Sequence, residues 1–358
     1  MEMTNRKIKH IACVLAVVAG LALPTVSCSW TETDNDREYS NTPQGNFMAL
    51  WTIMDKHYCF FDLKKQKLGV DWDEVKQRYS GSISDAMSGP ALFEVLCNMI
   101  GELRDGHVNL SSAYDFGHNW SWKTDYPANL SKDLREKYLG DDYKILASGC
   151  FYRILDDNIG YLVVESFDGS ISSGRLNIMF NNMMLCNGLI IDIRDNGGGL
   201  VETSEFLASH FTEKTVTVSY SCYKSGPGHN DFSGLYENRL NPALEDLRWV
   251  KPVVVLTNRG CYSSANDFAF TMKALENVTL MGDVTGGGGG FPMSSELPNG
   301  WVVRFSSCPT FDVDKNHVEF GVEPDIRLDD MKEDDINRGV DSYIEAARKF
   351  INDKLINP

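Results

Sequence analysis

The stretch Lys251 to Asn277, KPVVVLTNRGCYSSANDFAFTMKALEN, places a serine where chemistry is possible. Pro252 to Leu256 is a short run rich in β-branched residues and reads as a buried strand. Asn258, Arg259 and Gly260 interrupt it, and Ala265, Phe268, Phe270, Met272 and Leu275 then follow helical spacing. Ser263 therefore falls at a sharp strand-to-helix turn, where a hydroxyl projects beside the first free helical N–H groups. That placement suits a nucleophile. It suits an N-cap equally well, with the hydroxyl accepting from an orphan N–H of the first turn.

Three further clusters could serve such a serine. Arg194-Asp195-Asn196-Gly197-Gly198-Gly199 follows the very apolar strand Gly188 to Ile193. Glycines there leave backbone N–H groups bare and admit a substrate closely, which suits an oxyanion hole; the plainer reading is a tight turn entering a helix. His107, one of seven histidines, lies beside Asp105 and Gly106 where a helical stretch gives way to a strand. Asp312 to Asp325, DVDKNHVEFGVEPD, sets carboxylates on a structured loop. Asp312, Asp314, Asn316 and Glu323 imitate calcium-loop spacing, but His317 stands where that loop needs glycine and no helix precedes it, so no metal site is expected. The tract Gly286 to Gly290 is followed by Phe291 rather than Lys-Ser/Thr, which excludes a phosphate loop and predicts a flexible loop on the substrate side.

The elements that must position these groups are of two kinds. Phe47 to Tyr58, Asp71 to Tyr79 and Pro90 to Leu103 carry helical spacing, predicting a small helical domain over 45–110. Residues 111–150 show no clear period. From Asn158 the pattern is α/β. Strands are expected at Ile159 to Val164, Gly188 to Ile193, Val216 to Tyr220, Pro252 to Leu256, Val278 to Met281 and Trp301 to Ser306. Helices are expected at Ser172 to Cys186, Val201 to Phe211 and Val340 to Ile351, completing a catalytic domain over 111–358.

With 358 residues, 42% hydrophobic and 23% charged, the composition is that of a globular protein, and the net charge of -16 argues against nucleic acid as a partner. Arg6, Lys7 and Lys9 precede an apolar run from Ile11 to Val26, broken by Gly20 and Pro24, so residues 1–27 read as an export signal. Cys28 directly after it resembles the acylated cysteine of bacterial lipoproteins, although Thr25 stands where leucine is commonest; a plain signal peptide is the alternative. Residues 28–44 are polar and acidic, an expected tether to the membrane and hence a cell-envelope location. The seven cysteines beyond Cys13 and Cys28 form no CxxC pair, which indicates neither a disulfide framework nor a zinc ribbon. Cys261 is a rival thiol beside Ser263.

The fragments LRDGHVNL, IDIRDNGGGL, NRGCYSSANDFA, GDVTGGGGG and VEFGVEPDI, in that order between roughly Asn46 and Leu328, resemble the S41 peptidases, the tail-specific and tricorn-core serine proteases. The resemblance implies a ClpP/crotonase-like α/β core behind the helical domain, and no stretch resembles a PDZ domain. It implies Ser263 as nucleophile, attacking peptide or protein substrates without a cofactor. The C-terminal processing branch carries a lysine base after Gly-Glu-x-Thr-x-Gly; here Gly282-Asp283-Val284-Thr285-Gly286-Gly287 is followed by Gly288, so a Ser–Lys dyad is not expected. The tricorn-like branch uses Leu-x-x-x-His, matched by Leu103 to His107, and a glutamate before Gly-Val-x-Pro-Asp, matched by Glu319. His107 is then the general base and Glu319 the carboxylate that orients it, while Gly106 replaces a serine found in tricorn. Gly198 and the Ser264 N–H match the oxyanion donors, with Gly197, Gly287 and Gly288 lining the substrate side. A binding module without catalysis, as among the retinoid carriers of this fold, and an esterase are the alternatives.

Overall fold

In the computed structural model, residues 39–119, 121, 125–244 and 247–356 are described. The expected export signal, Cys28 and the tether as far as residue 38 lie outside them. Side-chain caps start most of the early helices: Thr42 for α1 (Pro43–His57), with α2 (Phe61–Leu68) next, then Asp71 for α3 (Trp72–Ser80) and Ser88 for α4 (Gly89–Gly101). Helix α2 closes at Gly69, whose φ of 71° is left-handed. The sequence pattern does not mark α2, because it buries only Phe61 and a lysine, Lys64. Phe47, Leu50, Ile53, Leu96 and Ile100 form the heart of the helical layer.

That layer shares its core with an antiparallel sheet. The sheet begins with β1 (Asn109–Ser111) and β2 (Phe116–His118). After α5 (Lys132–Leu139) come β3 (Lys144–Ala147), β4 (Cys150–Ile154) and β5 (Gly160–Val164), then α6 (Ser173–Met183), β6 (Leu189–Asp192) and α7 (Val201–Ala208). The chain continues through β7 (Val216–Ser221), β8 (Tyr236–Leu240), β9 (Val253–Thr257), α8 (Ser264–Lys273), β10 (Val278–Gly282), β11 (Gly290–Glu296) and β12 (Val302–Phe311). It ends with β13 (Ile326–Arg327), α9 (Glu333–Asn337) and α10 (Ser342–Ile356). The first sheet has the order β2-β1-β12-β7-β8, with β11 also on β12. Val303 and Phe305 of β12 enter the helical core, so the helices and this sheet fold onto one another.

The second sheet runs β13-β10-β9-β6-β5-β4-β3. Strands β5, β6, β9, β10 and β13 pair in parallel, and β4 and β3 extend the edge antiparallel. Every residue of β5, β6 and β9 is buried, which is why these strands read as continuous apolar runs rather than as alternation. Neighbouring β6 and β9 end level, Asp192 beside Leu256, so the loop holding Gly197 to Gly199 and the loop holding Ser263 leave the same sheet edge. Carboxyl ends of parallel strands are where α/β sheets place their sites.

A buried ion cluster fixes the start of the first of those loops. Arg194 is fully buried and grips Asp192 at 2.7 Å and Asp341 at 3.0 Å. Asp341 also receives the N–H groups of Tyr343 at 3.1 Å and Ile344 at 3.2 Å, capping α10. Removing the guanidinium strands two carboxylates in a dry interior, a loss of about 3–5 kcal/mol. Arg194→Met is therefore expected to lower unfolding stability by that order in urea titration; a change below about 1 kcal/mol would show that the cluster does not hold the fold.

Candidate active site

Ser263 occupies the N-cap position of α8 but makes no capping bond. Its main chain lies at φ 57° and ψ −123°, a conformation that L-residues avoid at a cost of about 1–3 kcal/mol. The Ser263 N–H is held by the Gly287 carbonyl at 2.9 Å. Its hydroxyl lies 2.9 Å from His107 Nε2, across 156 positions of sequence. The cap reading fails, because the strained turn aims the hydroxyl at an imidazole instead of at its own helix.

His107 arrives from the other layer, between α4 and β1, where Asn109 pairs with Arg304 of β12. Its N–H donates to Asp105 Oδ1 at 2.8 Å, and its ring lies 5.1 Å from that of Tyr262, the residue before Ser263. Its buried Nδ1 has no side-chain partner, and the ring has a hydrogen bond with the Gly290 backbone. Glu319 does not reach it. Instead Glu319 Oε1 takes a salt bridge from Lys64 Nζ at 2.6 Å, and Oε2 accepts from Gly289 N–H at 3.1 Å.

The glycine tract is no flexible loop. All of Gly286 to Gly290 is buried, and Gly290 opens β11. Gly286 N–H donates to the Cys261 carbonyl and Gly288 N–H to the Glu319 carbonyl, at 2.7 and 3.1 Å. A Cβ on Gly287, at φ 86°, would sit 1.9 Å from the Glu319 carbonyl oxygen, and one on Gly288 would meet the Tyr262 ring at 2.5 Å. The tract seats the turn that carries Ser263. At the other loop Gly198 has φ 107°, and a Cβ there would lie 2.9 Å from Ser263 Cβ and 3.1 Å from Ser264 N. Among the described residues the Ser264 N–H has no backbone acceptor outside its own helix. The Gly198 N–H, by contrast, is bonded to Asn196 Oδ1 at 2.9 Å. Gly197 stands beside it on the same loop, before α7.

Comparison with known proteins places this arrangement. A family model described as Peptidase family S41 matches residues 158–328, and one described as Tricorn protease C1 domain matches residues 39–101. A crystal structure of a proposed peptidase from Parabacteroides merdae ATCC 43184 is 47% identical, with a TM-score of 0.82 over 87% of this chain and 97% of that one. The chain belongs to peptidase family S41. Carboxy-terminal processing protease CtpA of Bacillus subtilis (strain 168) is 25% identical over 176 residues, 49% of this S41 chain but 36% of CtpA. The chain thus spans little more than a third of the curated relatives it matches. Mature CPAF, at 13% identity and a TM-score of 0.64 over 87% of this chain and 96% of its own, shares the fold.

Within this S41 site the electrostatics favour a neutral His107 ring. Burial is the largest influence on His107 and lowers its pKa from the ordinary 6.5; Asp105 and a hydrogen bond with the Gly290 backbone oppose it, while Arg304 and Lys64 add to it. Burial and the charge of Asp105 push Glu319 up to about 7, against the pull of Lys64. Cys261 donates its thiol to the Ile193 carbonyl at 3.0 Å, and burial pushes its pKa well up, so it is a packed thiol and no rival to Ser263. Tyr58 and Ser306, whose hydroxyls each donate to Asp105 Oδ2 at 3.0 Å, belong to the site without a local sign in the sequence, as does Lys64. Lys64 is one of three lysines in KKQK, and only its burial distinguishes it. A short, mostly exposed octamer that buries only Phe61 and Lys64 gives no local signal of that burial. The His107 ring is expected to titrate below 6.5, followed through its ring nitrogens by NMR; a midpoint above 6.5 would show that burial does not govern it.

Proposed function

We propose that this protein is a serine peptidase that hydrolyses peptide bonds through an acyl-enzyme on Ser263. The observation that carries the reading is the 2.9 Å contact between the Ser263 hydroxyl and His107 Nε2 at a strained turn. Neutral His107 takes the hydroxyl proton as Ser263 Oγ attacks the substrate carbonyl, and returns it to the leaving amine. A water then attacks the acyl group with His107 again as base, freeing Ser263. The tetrahedral oxyanion is received by the Ser264 N–H and by the Gly198 N–H once that group leaves Asn196. Gly197 borders the acceptor loop, and Gly287 and Gly288 hold the turn from the substrate side.

The setting follows the sequence. A leader over residues 1–27, cleaved before Cys28 so that Cys28 is acylated, and an acidic tether over 28–44 carry the peptidase into the cell envelope, where it meets peptide or protein substrates. The name of the CtpA relative concerns carboxy-terminal processing, but Gly288 occupies the place of a lysine base, so the base is His107 whatever the cleavage site. A binding module is the second reading, and the engagement of Gly198 N–H by Asn196 is the observation that favours it.

The deciding measurement is mass spectrometry of a mixed peptide pool with the folded domain, wild type beside Ser263→Ala. Cleavage by wild type alone is expected; cleavage by both proteins refutes the mechanism, and cleavage by neither supports the binding module. His107→Ala is expected to lower kcat at least about a thousandfold. Gly198→Ala, which fills the space beside the Ser264 N–H, is expected to lower it roughly a hundredfold or more. Wild-type kcat in Gly198→Ala would remove that loop from the oxyanion site.

A further inference from the structure

Asp105 and Glu319 are both buried at the rear of the site, and one ammonium, Lys64, serves them. We propose that the two carboxylates are divided: Glu319 is the counter-ion of Lys64 and an anchor for the glycine strand, while Asp105 is the positioning carboxylate of His107. The proposal rests on His107 acting as the base.

Geometry separates the two acids. Glu319 spends one oxygen on Lys64 at 2.6 Å and the other on the Gly289 N–H at 3.1 Å. Lys64 Nζ also donates to the Arg104 carbonyl at 3.5 Å, next to Asp105, and lies 4.6 Å from the Phe320 ring centroid, but the carboxylate it touches is that of Glu319. That ion pair is internally neutral. Asp105 has no cation in contact. It is held by four neutral donors: the His107 N–H at 2.8 Å, Tyr58 and Ser306 hydroxyls at 3.0 Å each, and the Tyr262 hydroxyl at 3.4 Å. Hydrogen bonds of this kind favour an ionised carboxylate without cancelling its charge. Burial opposes ionisation of Asp105, but Lys64, His107 and these donors outweigh it and hold its pKa below the ordinary 3.8.

Nδ1 of His107 is buried with no carboxylate on it, and the ring's main-chain partner is the Gly290 backbone, so no acid in this site acts through a direct imidazole bond. Support for the imidazolium must come through space and through placement. The uncancelled charge is that of Asp105, two residues away and tied to the His107 main chain. Its bond to Tyr262 also links the histidine segment with the turn carrying Ser263. The other charges facing His107 are Arg304 on β12 and Lys64 on α2, and both disfavour the charged ring. Asp105 is the counterweight.

The test follows the His107 ring titration by NMR in the resting protein, with kcat and KM measured beside it. Asp105→Asn is expected to lower the His107 pKa by roughly one unit and kcat by at least about tenfold, with KM nearly unchanged. Glu319→Gln leaves the Lys64 charge unpaired and is expected to lower the His107 pKa by less than Asp105→Asn does. An equal or larger downward shift in Glu319→Gln, or none in Asp105→Asn, overturns the division. The double variant Lys64→Met/Glu319→Gln removes the ion pair as a unit and so avoids an unpaired buried charge. Its His107 pKa is expected to stay level or rise; a fall refutes the proposal even where Asp105→Asn does not fold. The titration requires no turnover, so failure to cleave peptides would count against the peptidase and leave this result standing.

Discussion

The main chain of Ser263 sits at a positive φ that its side chain does not favour, and a large part of the surrounding sequence reads as the means of keeping it there. The Gly287 carbonyl pins its N–H, and Tyr262 pairs with Gly287 as a single parallel bridge. On the preceding side, Tyr262 N–H donates to the Asn196 carbonyl, and Asn258 exchanges bonds with Asp195, at 2.9 Å in each direction. The two loops leaving β6 and β9 are thus laced together before either meets a substrate. A Cβ on Gly260 would stand 2.4 Å from Asp195 Oδ1, so the lacing requires the absence of a side chain there. Strain at the serine persists because bonds on both sides fix the turn more tightly than its torsions alone would.

Legibility of the sequence followed the origin of each signal. The parallel strands announce themselves because burial on both faces demands unbroken apolar runs, as in Leu189 to Asp192 and Val253 to Thr257. The serine at the strand-to-helix turn and the glycines of the neighbouring loop stand out because each answers a local demand of the backbone. Strands β2, β3, β8 and β11 do not: they are short or half exposed, and their pairing partners, not their own pattern, define them. The glycine tract was misleading for a related reason. Glycine suits a mobile loop and also a close approach of backbones, and only the position of Glu319 and Tyr262 decides between them. Glu319 itself is recognisable from its fragment, but its partner is not, since Lys64 lies 255 positions away.

Charge is distributed with equal economy. Among the buried charges, Asp105 is held by neutral donors, while Arg194 stands with two aspartates and Lys64 with Glu319. Each group joins segments that are distant in sequence, strand β6 to helix α10 in one case and helix α2 to the turn before β13 in the other. Burying ions is costly unless their partners are fixed, so these groups tolerate little displacement of the elements that bear them. The packing of both layers and the position of the site are coupled through that intolerance.

The pairing of β1 with β12 has a consequence in time. During synthesis His107 emerges long before Ser263, and the strand that anchors its segment, Val302–Phe311, emerges later still. Contacts of such long separation close late, after loop entropy has been overcome. A nascent or unfolded chain therefore holds Ser263 and His107 apart. The 2.9 Å contact on which the proposed hydrolysis rests forms only when the last strands dock, and until then the chain carries its parts unassembled.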